Sequence, residues 1–396
     1  MLKFYLENEA ILFRKILGGI ILENSKVYYT SLRARPGLNL LQKLEKLVKK
    51  AGIEQIDFKD KFVAIKIHFG EPGNLAYLRP NYAKVIVDLI KNLGGKPFLT
   101  DCNTLYVGGR RNALDHLEAA YTNGFSPFST DCHVIIADGL KGTDEVAVPV
   151  NGECVKNAKI GRAIMDADIV ISLNHFKGHE GTGFGGALKN LGMGCGSVAG
   201  KKEMHSDDKP YPNTQKCVGC KLCKSQCAHD AISYDENGKA EIDHFKCTGC
   251  GRCVGVCKFD ALKSSDDLHR DILNMKIAEY ALAVVKDRPT FHINLVMDIS
   301  PNCDCHSEND APIVPDVGML ASFDPVALDM ACVDLVNSQP TFENSNIGDM
   351  QKHHHEEVEG LDNLFINHPD TNWKSAISHA VKIGIGTDKY ELIKLD

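Results

Sequence analysis

The sequence lacks an apolar run long enough to cross a bilayer. The longest run near the N-terminus is ILGGIIL at positions 16–22, whereas a membrane-spanning helix needs about 20 apolar residues. Charged residues precede this run and no small-residue cleavage site follows it, which argues against a signal peptide. We therefore expect a cytoplasmic protein with no membrane span.

Positive charge is not in excess either. The formal net charge is −7 at pH 7, whereas proteins that bind nucleic acid usually present a basic face. With 43% hydrophobic and 24% charged residues, the composition is that of a folded globular protein rather than a disordered or fibrous one. A chain of 396 residues is long enough for two or three domains with a sizeable core.

Cysteine, by contrast, is abundant and concentrated. The chain has 15 cysteines, and eight of them lie between positions 217 and 257. A reducing cytoplasm disfavours a disulfide framework, and clustered cysteines there more often bind metal. The eight form two runs with the same spacing, C-x2-C-x2-C-x3-C, at Cys217, Cys220, Cys223 and Cys227 and at Cys247, Cys250, Cys253 and Cys257.

This spacing is typical of bacterial ferredoxins with two [4Fe–4S] clusters, in which three cysteines of a run hold one cube and the fourth ligates the other. It predicts cluster one on Cys217, Cys220, Cys223 and Cys257, and cluster two on Cys247, Cys250, Cys253 and Cys227. The alternative is a pair of zinc sites, but zinc commonly uses two C-x2-C knuckles separated by a longer loop. One departure from the ferredoxin pattern is that Ala228 and Lys258, not proline, follow the fourth cysteines.

Outside residues 211–263, predicted strands and helices alternate along the chain. Apolar runs such as FVAIKIHF (62–69) and DIVISLNHF (168–176) predict buried strands, and the segment 81–95 predicts one of the helices between them. This alternation favours an α/β fold with a mainly parallel sheet covered by helices, interrupted by a small α+β two-cluster ferredoxin-like insert. The same patterns predict a helix at 156–167 and a strand at 362–368.

These patterns divide the chain into four parts. Residues 1–24 are an N-terminal extension, and residues 25–210 are the first part of the α/β domain. Residues 211–263 form the ferredoxin-like insert, and residues 264–396 complete the α/β domain.

A glycine pattern precedes the insert, Gly181-x-Gly183-x-x-Gly186. It formally matches the dinucleotide fingerprint, but it neither follows its strand directly nor opens a βαβ unit, so conventional NAD binding is disfavoured. We predict instead that these three glycines let the backbone approach a cofactor or an anionic ligand at the start of the next helix. Lys189 would add positive charge there. The alternative is a glycine-rich connector that binds nothing.

Polar side chains also follow three predicted strands. The residues are His68 and Glu71 in the first loop, His175, Lys177 and His179 in the second, and Asp298, Cys303, Asp304, Cys305 and His306 in the third. Because the carboxyl ends of parallel strands lie on one edge of a sheet, we expect the three loops to converge. We predict His68, His175, Lys177 and His179 as catalytic residues. Cys303, Cys305 and His306 are either metal ligands or free groups in a reducing cytoplasm.

Several of these segments together resemble the domain of unknown function 362 (DUF362) family, in its version with a ferredoxin insert. They are KIHFGEPGN (66–74), ADIVISLNHFKGHEGTGFGGALKNLGMGCGS (167–197), GKKEMHS (200–206), the two cysteine runs and DCHSENDAPIVPDVGMLASFDPVALDMACVDLVN (304–337). The resemblance covers most of residues 25–340. It implies an iron–sulfur protein, found largely in anaerobic prokaryotes, and supplies no substrate.

The leading hypothesis is therefore an iron–sulfur oxidoreductase. Two [4Fe–4S] clusters would carry electrons between an external redox partner protein or small carrier and a pocket that binds a small anionic ligand or a second cofactor of unknown identity. A non-catalytic electron-carrier or accessory subunit that docks a larger redox enzyme is the first alternative. A structural zinc-binding adaptor is the second.

Overall fold

The computed structural model describes residues 24–396, apart from 208, 258, 260 and 264–266. The predicted N-terminal extension lies outside the described residues except for its last position. Among the described residues, no helix has both the length and the apolar character needed to cross a membrane.

An eight-stranded sheet forms the centre of the fold. Its strands are β1 (Ser25–Thr30), β2 (Phe62–Lys66), β3 (Lys96–Asp101), β4 (Val134–Ile136), β7 (Ile169–His175), β14 (Thr290–Val296), β15 (Gly318–Ser322) and β16 (Tyr390–Lys394). They lie in the order β16-β1-β15-β14-β7-β2-β3-β4. Only β15 runs antiparallel to its neighbours, and the other pairings are parallel. The predicted α/β fold with a mainly parallel sheet is confirmed.

Helices cover both faces of this sheet. The helices are α1 (Leu40–Lys50), α2 (Pro80–Asn92), α3 (Ala113–Thr122), α4 (Pro127–Thr130), α5 (Arg162–Asp166), α6 (Ala187–Cys195), α7 (Val198–Met204), α8 (Leu222–Ser225), α9 (Arg252–Gly255), α10 (Asp267–Val285), α11 (Pro325–Asn337), α12 (Asn346–His353), α13 (His355–Val358), α14 (Asn363–Asn367) and α15 (Trp373–Lys382), with one 3-10 turn at Ile53–Gln55. Successive side chains of a strand point to opposite faces. Accordingly, Ile169 and Ile171 of β7 pack in the core beneath α1 and α2, whereas Val170 packs in the core beneath α6, α10 and α11.

A glycine allows α6 and α10 to approach closely. A Cβ atom at Gly192 would lie 2.1 Å from the carbonyl oxygen of Ile277, so any larger residue would push the helices apart. This packing fixes α6 against α10 and thereby positions Lys189, which lies in the first turn of α6.

Two predicted elements are wrong. The segment 156–167 contains strand β6 (Asn157–Gly161), which pairs with β5 (Glu145–Pro149), followed by only the short helix α5. Pairing with β5 satisfies the backbone hydrogen bonds of β6 in a strand, and the local apolar pattern, which predicted a helix, carries no information about this partner. The segment 362–368 is helix α14 rather than a strand, and the Asp362 side chain accepts a hydrogen bond from the Phe365 N–H as its N-cap.

Residues 211–263 form small elements that do not join the large sheet. They are the strand pairs β10 (Tyr211–Pro212) with β13 (Leu262–Lys263) and β11 (Ile232–Tyr234) with β12 (Ala240–Ile242), and helices α8 and α9. The sequence repeat is also a structural repeat, because equivalent positions have left-handed backbone conformations: Gly219 (φ 71°) and Gly249 (φ 74°), Lys221 (φ 66°) and Gly251 (φ 70°). The division of the chain into four parts stays a prediction.

Candidate functional site

The three polar loops converge on one cavity at the carboxyl ends of β2, β3, β7 and β14. Its lining includes the predicted residues His68, His175, Lys177, His179, Gly186, Lys189, Cys303 and Cys305. The cavity has a volume of about 110 Å³, more than one ordered water requires and enough for a small molecule. Gly181 and Gly183 lie nearby, in the hairpin formed by β8 (Lys177–His179) and β9 (Gly183–Gly185).

A buried carboxylate, Asp304, holds two of the predicted catalytic residues. His175 Nδ1 lies 2.8 Å from Asp304 Oδ1, and Lys177 Nζ donates to Oδ2 over 3.2 Å. Burial alone would raise the pKa of Asp304, but the charges of His175 and Lys177 lower it instead, so the group is ionised. The other nitrogen of His175, Nε2, donates to the Met297 carbonyl oxygen over 2.8 Å. With both ring nitrogens occupied, His175 is suited to orienting Asp304 rather than to exchanging protons.

Cys303 is the nucleophilic group of the cavity. The hydrogen bond from Cys305 is the largest cause that lowers the pKa of its thiol well below the usual range; burial opposes it, and the charges of Lys189 and Lys177 lower the pKa further. Lys189 Nζ lies 3.4 Å from Cys303 Sγ. These interactions favour the thiolate form of Cys303, with the half-buried ammonium of Lys189 beside it.

His179 lines the same cavity as Cys303. Its Nδ1 accepts hydrogen bonds from the N–H groups of Gly181 (3.0 Å) and Thr182 (3.2 Å), so hydrogen is carried on Nε2. A hydrogen bond from His179 is among the interactions that lower the pKa of Cys303. The Nε2–H of His179 can thus donate a hydrogen bond into the cavity.

His68 is held neutral by its surroundings. Burial, followed by the charge of Arg110, lowers the pKa of His68 to about 3. Arg110 is itself buried and lies 2.9 Å from Glu71 and 3.6 Å from Asp101. The Gly70 N–H donates to His68 Nδ1 over 3.0 Å, and Arg110 Nη1 lies 3.1 Å from His68 Nε2. Both ring nitrogens are therefore engaged by the chain, and the imidazole does not gain a proton near pH 7.

The N-terminus of α6 is already filled. Asp329 of α11 accepts hydrogen bonds from the N–H groups of Ala187 (2.7 Å) and Leu188 (2.9 Å). A Cβ at Gly186 would lie 2.3 Å from Asp329 Oδ1, so this glycine makes room for the carboxylate. The sequence-based expectation that an anionic ligand binds at this helix start is therefore not met, because the chain supplies its own anion there.

Two smaller cavities lie among the clustered cysteines. The first is lined by Cys217, Cys220, Cys223 and Cys257, and the second by Cys227, Cys247, Cys250 and Cys253. Each cavity gathers three cysteines of one run and the fourth cysteine of the other. Backbone N–H groups donate to four of the sulfurs: Ala240 to Cys217 (3.4 Å), Ala231 to Cys227 (3.3 Å), Gly249 to Cys247 (3.5 Å) and Ala261 to Cys257 (3.4 Å).

The second cysteine cavity adjoins the large cavity. Cys250 and Arg252 line both of them. The Arg252 guanidinium donates to the Cys305 carbonyl oxygen over 3.2 Å and lies 5.1 Å from the centre of the Tyr106 ring. A further hydrogen bond joins His229 Nε2 to the Leu105 carbonyl oxygen over 3.1 Å. The cysteine-rich region is therefore fixed against the wall of the large cavity.

The sequence analysis missed several lining residues. Tyr106 and Arg110 follow β3, Glu180 lies in the β8–β9 turn, and Arg252 lies inside the second cysteine run. Glu180 stands directly beside a predicted residue, and Arg110 follows a glycine pair at a strand end. These two positions in the sequence could have identified Glu180 and Arg110 as candidate site residues.

Individual known proteins match this chain with low sequence identity, over a third to three quarters of its length. Over 130 residues the chain is 27% identical to a thylakoid-associated protein of Synechocystis sp., covering 33% of this chain and 36% of that protein; the chain thus spans about a third of the length of this curated relative. The lactate racemase apoprotein from Thermoanaerobacterium thermosaccharolyticum aligns over 69% of this chain and 51% of its own, with 13% identity and a TM-score of 0.35. A protein from Thermotoga maritima aligns over 76% and 59%, with 15% identity and a TM-score of 0.39.

A protein-family match covers more of the chain than the match to the thylakoid-associated protein does. The family described as "Domain of unknown function (DUF362)" matches residues 63–334, which is more than half of the chain and includes every loop of the large cavity. The chain belongs to the DUF362 family.

Proposed function

We propose that this protein is an iron–sulfur oxidoreductase that passes electrons through two [4Fe–4S] clusters to or from a small anionic ligand in the large cavity. The observation that carries the proposal is that Cys250 and Arg252 line both the second cysteine cavity and the large cavity. When bound, the clusters supply one-electron transfer. The protein's own residues hold the ligand, orient it and donate hydrogen bonds to it.

The cysteine cavities suit cubes better than single zinc ions. Around a tetrahedral zinc, thiolate sulfurs lie roughly 3.8 Å apart. Among the described residues, the only three metal-ligating atoms found within 4.8 Å of one another belong to Glu180, Cys305 and His306, so neither cysteine set is gathered that tightly. A cube spreads its ligands because each thiolate binds a different iron, and N–H donors to sulfur are a recognised means of tuning such clusters.

The face around the first cysteine cavity suits a redox partner. Cys220 is exposed, and the lining residues Val218, Leu222 and Phe259 are 57%, 44% and 44% exposed. Clustered exposed apolar side chains mark protein interaction sites. We infer that an external carrier docks here, so that electrons pass through cluster one and then cluster two to the large cavity.

The large cavity provides positive charge and hydrogen-bond donors for its ligand. Lys177 is buried and Lys189 is half-buried, and each uses one donor on an anion of the chain. An ammonium has three N–H donors, so both can also donate to the oxygens of a small anion. The Nε2–H of His179 can then donate a hydrogen bond to the negative charge that the ligand gains with its electrons.

The first experiment is anaerobic purification with iron, acid-labile sulfide and zinc counted per chain, together with EPR of the dithionite-reduced protein. We expect about eight irons and eight sulfides with spin-coupled signals. Zinc without sulfide would overturn the proposal and leave the adaptor in its place. The control is Cys154→Ser, which replaces a half-buried thiol outside all three cavities and is expected to retain all eight irons.

The accessory-subunit alternative rests on the same exposed face around Cys220. A tightly bound small molecule in the purified protein would favour the enzyme. Stoichiometric co-purification with a larger redox enzyme, with no ligand in the cavity, would favour the accessory subunit. In either case we propose a cytoplasmic location, which fractionation of cells of the source would test.

A further inference from the structure

We propose that Glu180, Cys305 and His306 bind one divalent transition-metal ion, Zn²⁺ in the first instance, at the wall of the large cavity. One ligating atom of each residue lies within 4.8 Å of the others. His306 Nε2 and Glu180 Oε1 are already 2.9 Å apart. This site is separate from the eight cysteines of the two runs and does not depend on the clusters.

The donor set is that of a zinc centre with an open position. Thiolate, imidazole and carboxylate are the three ligand types that Zn²⁺ takes in proteins, and catalytic sites use three protein ligands. Donors at about 2.0–2.3 Å from a tetrahedral ion lie roughly 3.3–3.8 Å from one another. The three atoms therefore need to move by about 1 Å at most, which small side-chain rotations supply.

Hydrogen bonds hold the backbone of Cys305 and His306 in place before any metal ion binds. The Asn74 side chain donates to the His306 carbonyl oxygen over 2.9 Å, and Arg252 donates to that of Cys305 over 3.2 Å. The His306 N–H donates to the Cys303 carbonyl oxygen over 3.0 Å. Glu180 approaches from the β8–β9 turn on the opposite side. Ligands held this way lose little freedom when an ion binds, which favours binding.

A second observation, the state of the Glu180 carboxylate, favours a cation at this place. Glu180 Oε2 is buried and has no hydrogen-bond partner, although a buried carboxylate oxygen without one is costly. A metal ion would take up this oxygen or its neighbour. Cys305 donates a hydrogen bond to Cys303, so binding the ion releases the Cys305 proton, and the resulting thiolate and the carboxylate together neutralise a divalent ion.

The open position faces the ligand cavity. Glu180 and Cys305 both line it, and Lys189 lines the same space. A carboxylate or carbonyl oxygen of a small ligand could therefore bind the ion while a second oxygen accepts from Lys189. The ion would act as a Lewis acid that polarises this oxygen.

The test measures the zinc content of protein whose two cysteine runs already hold their iron–sulfur clusters. Anaerobically purified protein with its iron complete is equilibrated with Zn²⁺ in a weak chelating buffer, and zinc and iron are measured together. We expect about one zinc per chain in the wild type. Cys305→Ser and the conservative Glu180→Gln are each expected to weaken zinc binding at least about 100-fold, since each removes a direct ligand. Cys154→Ser, a thiol outside the site, is expected to bind zinc like the wild type.

The outcomes separate this site from the clusters. No zinc in wild-type protein with full iron, or unchanged zinc in both ligand variants, overturns the metal site. Zinc lost in the variants while their iron count stays complete shows that they are folded and supports it. If no preparation contains iron or sulfide, the electron-transfer proposal is rejected, and the metal site is supported if Cys305→Ser and Glu180→Gln each bind one zinc fewer than the wild type and overturned if they do not.

Discussion

Replacing Arg252 by glutamine is expected to lower the reduction potential of cluster two. Arg252 is only 6% exposed, lines the second cysteine cavity and lies between Cys250 and Cys253 in the sequence. Its positive charge favours the reduced cluster, which carries one more negative charge. A unit charge acting over about 10 Å at an effective dielectric constant of about 20 contributes about 1.7 kcal/mol, which corresponds to about 70 mV for one electron.

The assay is a potentiometric titration followed by EPR under anaerobic conditions. Lys224→Gln is the matched control, because Lys224 lies beside Cys223 of the first run but is exposed, and solvent and salt screen an exposed charge. We expect the control to shift either potential by much less than Arg252→Gln shifts that of cluster two. A shift of cluster two to a higher potential, or equal small shifts in the two variants, would refute the reasoning.

Three further predictions concern the clusters and the core. Cys250→Ala is expected to reduce the iron count from about eight to about four, and an undiminished count would contradict the assignment of this residue to cluster two. Asp329→Ala leaves the N–H groups of Ala187 and Leu188 buried without an acceptor, so urea unfolding should show a loss of about 2–5 kcal/mol; a loss below about 1 kcal/mol would mean that the start of α6 does not depend on this carboxylate. Burial raises the pKa of Asp138 to about 6, so between its unfolded value near 4 and pH 6 the native state binds more protons and stability falls as pH rises. Relative to Asp138→Asn, the wild type should lose about 1 kcal/mol between pH 5 and pH 7 in urea midpoints, and parallel pH profiles would exclude this titration.

The sheet was predictable because its central strands are buried on both faces. Continuous apolar runs mark β2 and β7 directly, and a parallel sheet needs helices on each side. The strand β15 gave no comparable signal because only Met319, Leu320 and Ala321 form an apolar run between Gly318 and Ser322. The strand β16 gave none because it lies at an edge with exposed positions. The helix at 362–368 was missed because its apolar residues outweighed the N-cap signal of Asp362.

The candidate site was only partly predictable, for a different reason. His68, Lys177 and Cys303 were identifiable because each follows a strand end. The sequence did not indicate that Asp329, far along the chain, fills the start of α6 and replaces the expected anion. Nor did it indicate that Arg252 reaches the cavity.

By itself, the sequence determined the features that depend on local spacing and local burial. These are the two equivalent cysteine runs, the alternation of strands and helices, and the polar groups at strand ends. Only the tertiary structure decided which distant groups meet: the cysteine cavity beside the ligand cavity through Cys250, and the group of Glu180, Cys305 and His306. These contacts depend on the crossing and packing of elements that lie 53 to 126 residues apart in the sequence, and no local pattern encodes that geometry.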